Sequence, residues 1–287
     1  MSELSSLPPQ FFVGLSLVAG LLIGSFLNVV IYRLPRGESL VFPGSRCPSC
    51  GHAVAPYDNI PVFSYLWLRG KCRSCHTPIS ARYPAIELLT GLLFAAIAWR
   101  YGFAPMTLVW QLFAATLVAA AGIDFDHQII PDEISIGGLV AALVVVPLVR
   151  GFTGVAFVPA LIDSLLGALL GGGLLWIVGF AHARVSVALG REFEHWPGEG
   201  EALPKPSESD YWLWFPGIGL GDIKLLAMIG AVQGVMGVLP TLIAASVAGL
   251  VSGLAWAAVT RRFNAPFGFA PAIAAGALLV LLLPPLL

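Results

Sequence analysis

The chain has 287 residues, of which 57% are apolar and only 11% charged. An ordinary soluble domain carries roughly 25% charged residues, so this balance excludes a soluble globule and points to repeated crossing of a bilayer. The net charge of −1 excludes a broadly basic surface of the kind that holds nucleic acid without sequence preference.

A helix that crosses about 30 Å of hydrocarbon needs about 20 apolar residues. Such runs lie at roughly 11–32, 84–103, 105–124, 133–150, 157–182, 223–237, 238–259 and 266–286. They predict an all-α polytopic membrane protein with about eight transmembrane helices. The N-terminal MSELSSLPPQ has no basic n-region, so the first run is expected to be a retained span and not a cleaved signal. Gly234–Pro240 is expected to hold a tight turn between the sixth and seventh spans. Gly167, Gly171, Gly172 and Gly173 lie inside the fifth span, where small residues suit helix-packing faces. Two hydrophilic pieces interrupt the spans, at about 33–83 and about 183–215.

Basic residues set the orientation, because short cytoplasmic loops accumulate them. With 33–83 placed inside, Arg33, Arg36, Arg46, Arg69, Lys71, Arg73, Arg82, Arg184, Arg191, Lys205, Lys224, Arg261 and Arg262 are all cytoplasmic. Of the 15 Lys plus Arg, only Arg100 and Arg150 then fall outside.

All four cysteines lie in the first hydrophilic piece, as Cys47-Pro-Ser-Cys50 and Cys72-Arg-Ser-Cys75. Two CxxC pairs with a spacer near 20 residues suit tetrahedral thiolate coordination of Zn2+. A piece this small buries little core, so a structural metal would supply folding energy. The alternatives are two disulfides, which a reducing cytoplasm disfavours, or four free thiols. His52 and His76 are expected beside this site and not in it, since four sulfurs close the coordination shell.

The stretch Phe215–Leu226 (FPGIGLGDIKLL) runs Gly217, Gly219 and Gly221 into Asp222, Lys224 and an apolar span. A carboxylate at the mouth of a membrane helix is unfavourable by several kcal/mol on the order of insertion scales. Read alone, Asp222 is either the N-cap of the next helix or a functional acid. Partners for it lie at the end of the third span, where Asp124, Asp126 and Asp132 reach the same cytoplasmic face. Asp132 follows Pro131 and is expected to cap the fourth span, while Asp126 and His127 are expected to be solvated. Asp124 directly follows the apolar run, where nothing structural calls for a carboxylate. Two acids sharing a proton can activate water against an amide, one as base and one as acid. Asp222 is expected to be the ionised base and Asp124 the proton donor, from the opposite partial charges of the two helix ends and the neighbouring Lys224. The HExxH and GxSxG patterns of other hydrolases are absent from the sequence.

These residues carry a resemblance to a known family. GSFLNVVIYRLP (24–35), CPSCGH (47–52), NIPVFSYLWLRGKCRSC (59–75), PISARYPAIE (78–87), IDFDHQIIPD (123–132) and GLGDIKLLAMIGA (219–231) closely resemble the bacterial type IV prepilin peptidases, aspartic proteases of the inner membrane. The resemblance implies catalytic roles for Asp124 and Asp222, and cleavage of prepilin or pseudopilin leaders after a glycine at the cytoplasmic face. It further implies N-methylation of the new amino terminus with S-adenosylmethionine, an activity linked to the cysteine-bearing part. The cofactor's site is not derivable from the sequence, which lacks a Rossmann-type GxGxxG.

The resulting division is a first span at 1–32, a cytoplasmic four-cysteine zinc domain at 33–83 and a membrane aspartic peptidase domain at 84–287. Gly217–Gly221 is expected to accept an extended substrate backbone, with Gly219, Gly221 and Lys224 supporting the acids. Glu192, Glu194, Glu199, Glu201, Glu208 and Asp210 could draw a basic leader, against the plainer reading of a solvated loop. A rival class is a transporter or channel with a regulatory zinc domain, using Asp124, Asp222, Asp163 and Asn28 along a pathway. A membrane-tethered zinc ribbon for nucleic acid is weaker, because 33–83 lacks a dense aromatic–basic stripe. The sequence leaves the oligomeric state open.

Overall fold

The structure, a computed structural model, describes residues 8–191, 193, 203–261 and 268–283. Glu192, Glu194, His195, Glu199, Glu201, Arg262 and the outer parts of the 266–286 run lie outside the described residues. The described chain is all-α, with α1 (Pro9–Arg33), α2 (Phe63–Trp67), α3 (Arg82–Tyr101), α4 (Pro105–His127) and α5 (Asp132–Phe152) in its first half. The second half holds α6 (Phe157–Ala188), α7 (Ser209–Leu213), α8 (Leu220–Gln233), α9 (Val235–Thr260) and α10 (Ala270–Leu282).

Five helices are long and apolar enough to cross a membrane, namely α1, α4, α5, α6 and α9. The other expected spans fall on α3, which carries Arg82, Glu87 and Arg100, on α8 with 14 residues and on α10 with 13. Helix length and composition thus give a multi-pass membrane protein with five such helices, and do not by themselves establish eight spans.

Contacts divide the chain into two compact units, 1–128 with 282–284, and 129–281 with 285–287. In the first unit α1, α3 and α4 pack together. Gly20 and Gly24 of α1 let it press on α3, since a Cβ at Gly24 would lie 2.7 Å from the Glu87 Cα. Buried amides then tie the three helices. Gln111 of α4 donates to the Ser16 hydroxyl (2.9 Å) and to the Phe94 carbonyl (3.1 Å), and Asn28 of α1 donates to the Tyr83 carbonyl (3.1 Å). A polar group in hydrocarbon favours such partners strongly enough to fix helix register.

In the second unit α6 packs on α5, α8 and α9. The closest approach is glycine on glycine: a Cβ added at Gly167 would lie 2.1 Å from the Gly230 carbonyl oxygen. Gly171 faces the Leu226 carbonyl in the same way, whereas an added Cβ at Gly173 would meet nothing within 4 Å. The expected packing role therefore holds for Gly167, Gly171 and Gly172, and Gly173 sits off that face.

The break between the sixth and seventh expected spans is sharper than Gly234–Pro240. Gly234 alone makes it, with φ 75 and ψ −179, and Pro240 lies inside α9. Pro240 is the sixth residue of α9, where it cannot donate to the Met236 carbonyl, yet the helix continues through it. Asp163 anchors this break. Its carboxylate accepts from Arg150 (2.6 Å) and from the Val235 backbone N–H (3.1 Å).

Candidate active site and metal site

The cysteine segment builds two equivalent knuckles. In the first, the Cys47 N–H bonds the His52 carbonyl and the Gly51 N–H bonds the Cys47 carbonyl, both at 2.9 Å. In the second, the Cys72 N–H bonds the Thr77 carbonyl (2.9 Å) and the His76 N–H bonds the Cys72 carbonyl (3.0 Å). Each is closed by one bridge, Arg46 with Ala53 and Lys71 with Pro78. The residue after the second cysteine is left-handed in both, Gly51 at φ 70 and His76 at φ 58. His76 thus takes a backbone role, the one Gly51 fills without a Cβ.

The four sulfurs of Cys47, Cys50, Cys72 and Cys75 lie within 4.8 Å of one another, with Cys47 and Cys75 at 3.7 Å. Zn–S bonds of about 2.3 Å in a tetrahedron place sulfurs about 3.8 Å apart, so the set could hold a metal such as zinc. The thiols already differ. Hydrogen bonding to the Thr77 hydroxyl and backbone pulls Cys75 down to about 6. The His52 backbone N–H favours the Cys50 thiolate, yet burial and the three neighbouring sulfurs outweigh it and push Cys50 up to about 11. A bidentate pair from Arg73 to Asp58 (2.7 and 2.5 Å) braces the second knuckle and holds the Asp58 carboxyl below its usual range.

Asp124 lies in the last turn of α4 and is buried, at 5% exposure. The helix stops because Gln128 turns left-handed at φ 55, its N–H bonding the Asp124 carbonyl (2.9 Å), an αL stop followed closely by Pro131. Arg82, the first residue of α3, grips this turn on both sides of Asp124. Its guanidinium donates to the Gly122 carbonyl (3.1 Å) and pairs with the Asp126 carboxylate. Asp126 is exposed, as expected, and is also held by an ion pair, because α3 starts beside the end of α4.

Asp222 occupies the first turn of α8 and is half-buried. The helix is capped by Gly219, so Asp222 is the third helical residue and not the N-cap. Its Oδ2 lies 3.4 Å from where a Gly219 Cβ would be, which places the carboxylate back over the cap. The helix end favours negative charge at that point. Gly221 is also helical, and an added Cβ would meet Ile130 at 3.1 Å. The bare, non-helical stretch therefore ends at Gly219, two residues short of the expected Gly217–Gly221.

Lys224 pairs with Asp132, the first residue of α5. Asp132 accordingly is no N-cap, since Pro131 takes that position with no side-chain cap bond. Upstream, Phe215 is buried against Gly179, and Gly217 faces His182, where a Cβ would come 3.1 Å from Nδ1. An aromatic stack on α6 and α7 holds this approach. Phe180 and Trp212 lie parallel at 5.2 Å, and the Arg184 guanidinium sits 3.6 Å from the Tyr211 ring centroid.

Comparison with known proteins bears on both regions. Residues 18–101 match the Bacterial Peptidase A24 N-terminal domain, and residues 111–254 match the Type IV leader peptidase family. A Neisseria gonorrhoeae protein named prepilin leader peptidase/N-methyltransferase is 35% identical over 95% of this chain and 91% of its own length. The chain belongs to the type IV leader peptidase family. Leader peptidase relatives of the same name include one from Myxococcus xanthus, 39% identical over 90% of this chain and 68% of its own. Another, from Pseudomonas aeruginosa, is 35% identical over 96% and 91% respectively. No solved structure matches the chain at a significant level.

Within the leader peptidase match lie Asp124, Asp222, Gly219, Gly221 and Lys224; the four cysteines lie in the N-terminal match. The structure brings the cysteines together and seats each aspartate at a helix end, Asp124 in the first unit and Asp222 in the second. Sequence reasoning missed Arg82, Gly179 and His76. The first two act on partners far away in sequence, and only the position of His76 relative to Gly51 could have flagged it.

Proposed function

We propose that the chain is a membrane aspartic endopeptidase that removes the basic leader of type IV prepilins or pseudopilins after a glycine, with Asp124 and Asp222 as the catalytic pair. The observation that carries this reading is that both acids stand at the ends of apolar helices inside the stretch matched by the leader peptidase family. A carboxylate at an α8 N-terminus is kept ionised by the helix end and suits the base that takes a proton from water. The buried Asp124, at a helix C-terminus, suits the protonated partner that donates to the scissile carbonyl oxygen. The water oxygen then bonds the carbonyl carbon, the amide C–N bond breaks, and the leaving amine takes a proton from the pair.

The basic residues support an orientation with the cysteine segment and this site facing the cytoplasm, where a basic leader followed by an apolar helix would present its junction. Lys224 and the glycines before Asp222 are supporting groups on this reading. The functional division stays 1–32, 33–83 and 84–287, with zinc as a structural ion at Cys47, Cys50, Cys72 and Cys75. Held by these four sulfurs, zinc would have a closed shell with no position for substrate.

The relatives' names pair the peptidase with an N-methyltransferase, and we extend that second activity, with S-adenosylmethionine as methyl donor, to this chain. The cavity of about 270 Å³ beside α1 does not fit that cofactor. Its lining includes Arg33 and no carboxylate to meet a sulfonium and an ammonium. No residue is assigned to the cofactor and no step is routed through it.

The test is a cleavage assay on a substrate with a basic leader, a Gly-Phe junction and an apolar helix. Asp124→Asn and Asp222→Asn should each lower kcat by about 10²-fold or more with the melting temperature unchanged. Near-full activity in either variant would sink the pairing and shift attention to Asp126. Mass spectrometry of the product reads the added methyl group.

A further inference from the structure

The cysteine segment is hydrophilic in sequence, yet it exposes Val41 (69%), Phe42 (77%), Phe63 (57%), Leu66 (67%) and Trp67 (71%). Singly exposed apolar residues are ordinary, but a group of five on a short segment calls for a partner. Two independent anchors fix the depth of these residues. The Val62 N–H, at the start of α2, donates to the buried Glu87 carboxylate at 2.7 Å. Glu87 is five residues into α3, about 7.5 Å along the helix from Arg82. Val62 is held there at φ 61 and ψ −48, a positive-φ conformation that a β-branched residue adopts only under constraint.

The second anchor is the loop after α1. Arg33 donates to the Ser39 carbonyl (2.9 Å) and the Pro43 carbonyl (2.8 Å), folding the loop back. Leu40, Val41 and Pro43 then line a cavity together with Leu22, Ser25 and Phe26 of α1. Ser25 is eight residues inside the end of α1, about 12 Å along its axis. Both exposed apolar elements are thus tied to points well inside the ends of two helices, α1, which is long and apolar enough to cross a membrane, and α3, which packs along it.

The charges complement that depth. Arg33 and Arg36 stand at the end of α1, and Arg69 and Lys71 just after α2. Asp58 is already taken by Arg73, so Glu38 is the one other acid between residues 34 and 81, against Arg36, Arg46, Arg69 and Lys71. Aromatic and aliphatic side chains at acyl depth, with cations above them, make up an interfacial membrane anchor.

We propose that Val41, Phe42, Phe63, Leu66 and Trp67 dip into the acyl boundary of an anionic bilayer, with Arg36, Arg69 and Lys71 on its headgroups. The cysteine segment is thereby a membrane-surface module and not a free cytoplasmic domain. This does not rest on the proposed reaction.

The test uses the full chain in vesicles of phosphatidylcholine with or without phosphatidylglycerol, some carrying bromine on the acyl chain close to the headgroup. The emission lost in Trp67→Phe should be blue-shifted and quenched by the shallow bromines. Emission gained in Phe42→Trp should be quenched likewise, which keeps the test informative where one variant fails to fold. Quenching should be stronger with phosphatidylglycerol, and that excess should disappear in Arg69→Gln/Lys71→Gln and at high salt. Unquenched emission from both positions would overturn the proposal, including the case where a second copy covers the patch. Equal quenching in both lipids would overturn its anionic part.

Discussion

The cysteine segment and the α6–α8 contact hold their shapes by opposite means. Between residues 34 and 81 the only buried side chain is Ser64, and order comes from four sulfurs gathered by two tight knuckles. At α6–α8 the closest approach is bare backbone, where Gly167 and Gly230 bring the two helices into contact. A metal tolerates almost any neighbour and forbids loss of a ligand. Glycine packing tolerates loss of almost any side chain and forbids the gain of one. The two regions should therefore fail independently.

The largest effect expected is from metal removal. Chelation or Cys72→Ser should remove bound zinc and expose the amides of 46–78 to hydrogen exchange, a local loss on the order of 10 kcal/mol, with cleavage near its unmodified rate. Zinc uptake by the metal-free chain should also release protons at neutral pH, because Cys50 at about 11 is protonated there. Acidification should then weaken binding. Cleavage lost together with zinc would break the comparison.

Next comes Gly230→Ala, whose Cβ would meet the Gly167 carbonyl oxygen at 2.1 Å, backbone that cannot swing aside. It should destabilise the second unit by about 3 kcal/mol, lowering the melting temperature and cleavage while zinc content holds. A melting temperature unchanged within error would show that the helices part easily.

Arg82→Ala removes one bond to a carbonyl and one half-exposed ion pair, about 1–2 kcal/mol together. It should lower kcat with little change in KM, because Arg82 grips the turn that carries Asp124. Arg82→Lys should recover part of the loss. A pure KM effect would assign Arg82 to substrate binding.

Lys224→Ala breaks a pair whose Asp132 partner is 61% exposed, so less than about 1 kcal/mol of stability should go. A larger loss would make this pair a staple of the second unit.

The smallest effect compares the knuckles. His76→Gly should change stability by less than about 1 kcal/mol, relief at φ 58 being offset by unfolded-chain freedom, while Gly51→Ala should destabilise by about 1–2 kcal/mol. Zinc competition titrations on both variants measure the difference.

Much of this arrangement was legible in the residues. Apolar run lengths placed α1, α4, α5, α6 and α9, and CxxC spacing placed the metal set, because both signals are local. Asp124 and Asp222 stood out because charge beside an apolar run is unfavourable without a purpose. The alternation of Gly217, Gly219 and Gly221 misled, since Gly221 enters α8 to pass Ile130. Pro240 misled too, because α9 continues through it despite the missing N–H.

The sequence by itself determined the membrane class, marked the four cysteines that the fold gathers, and singled out the two acids proposed as the pair, all through neighbours within a turn or a knuckle. Tertiary structure alone decided the partners. Lys224 reaches back 92 residues to Asp132, and Arg82 reaches 44 residues to Asp126. It also decided that Val62, at the start of α2, bonds Glu87 inside α3. Such choices depend on which helix ends meet, and helix ends meet through packing surfaces that no local pattern records.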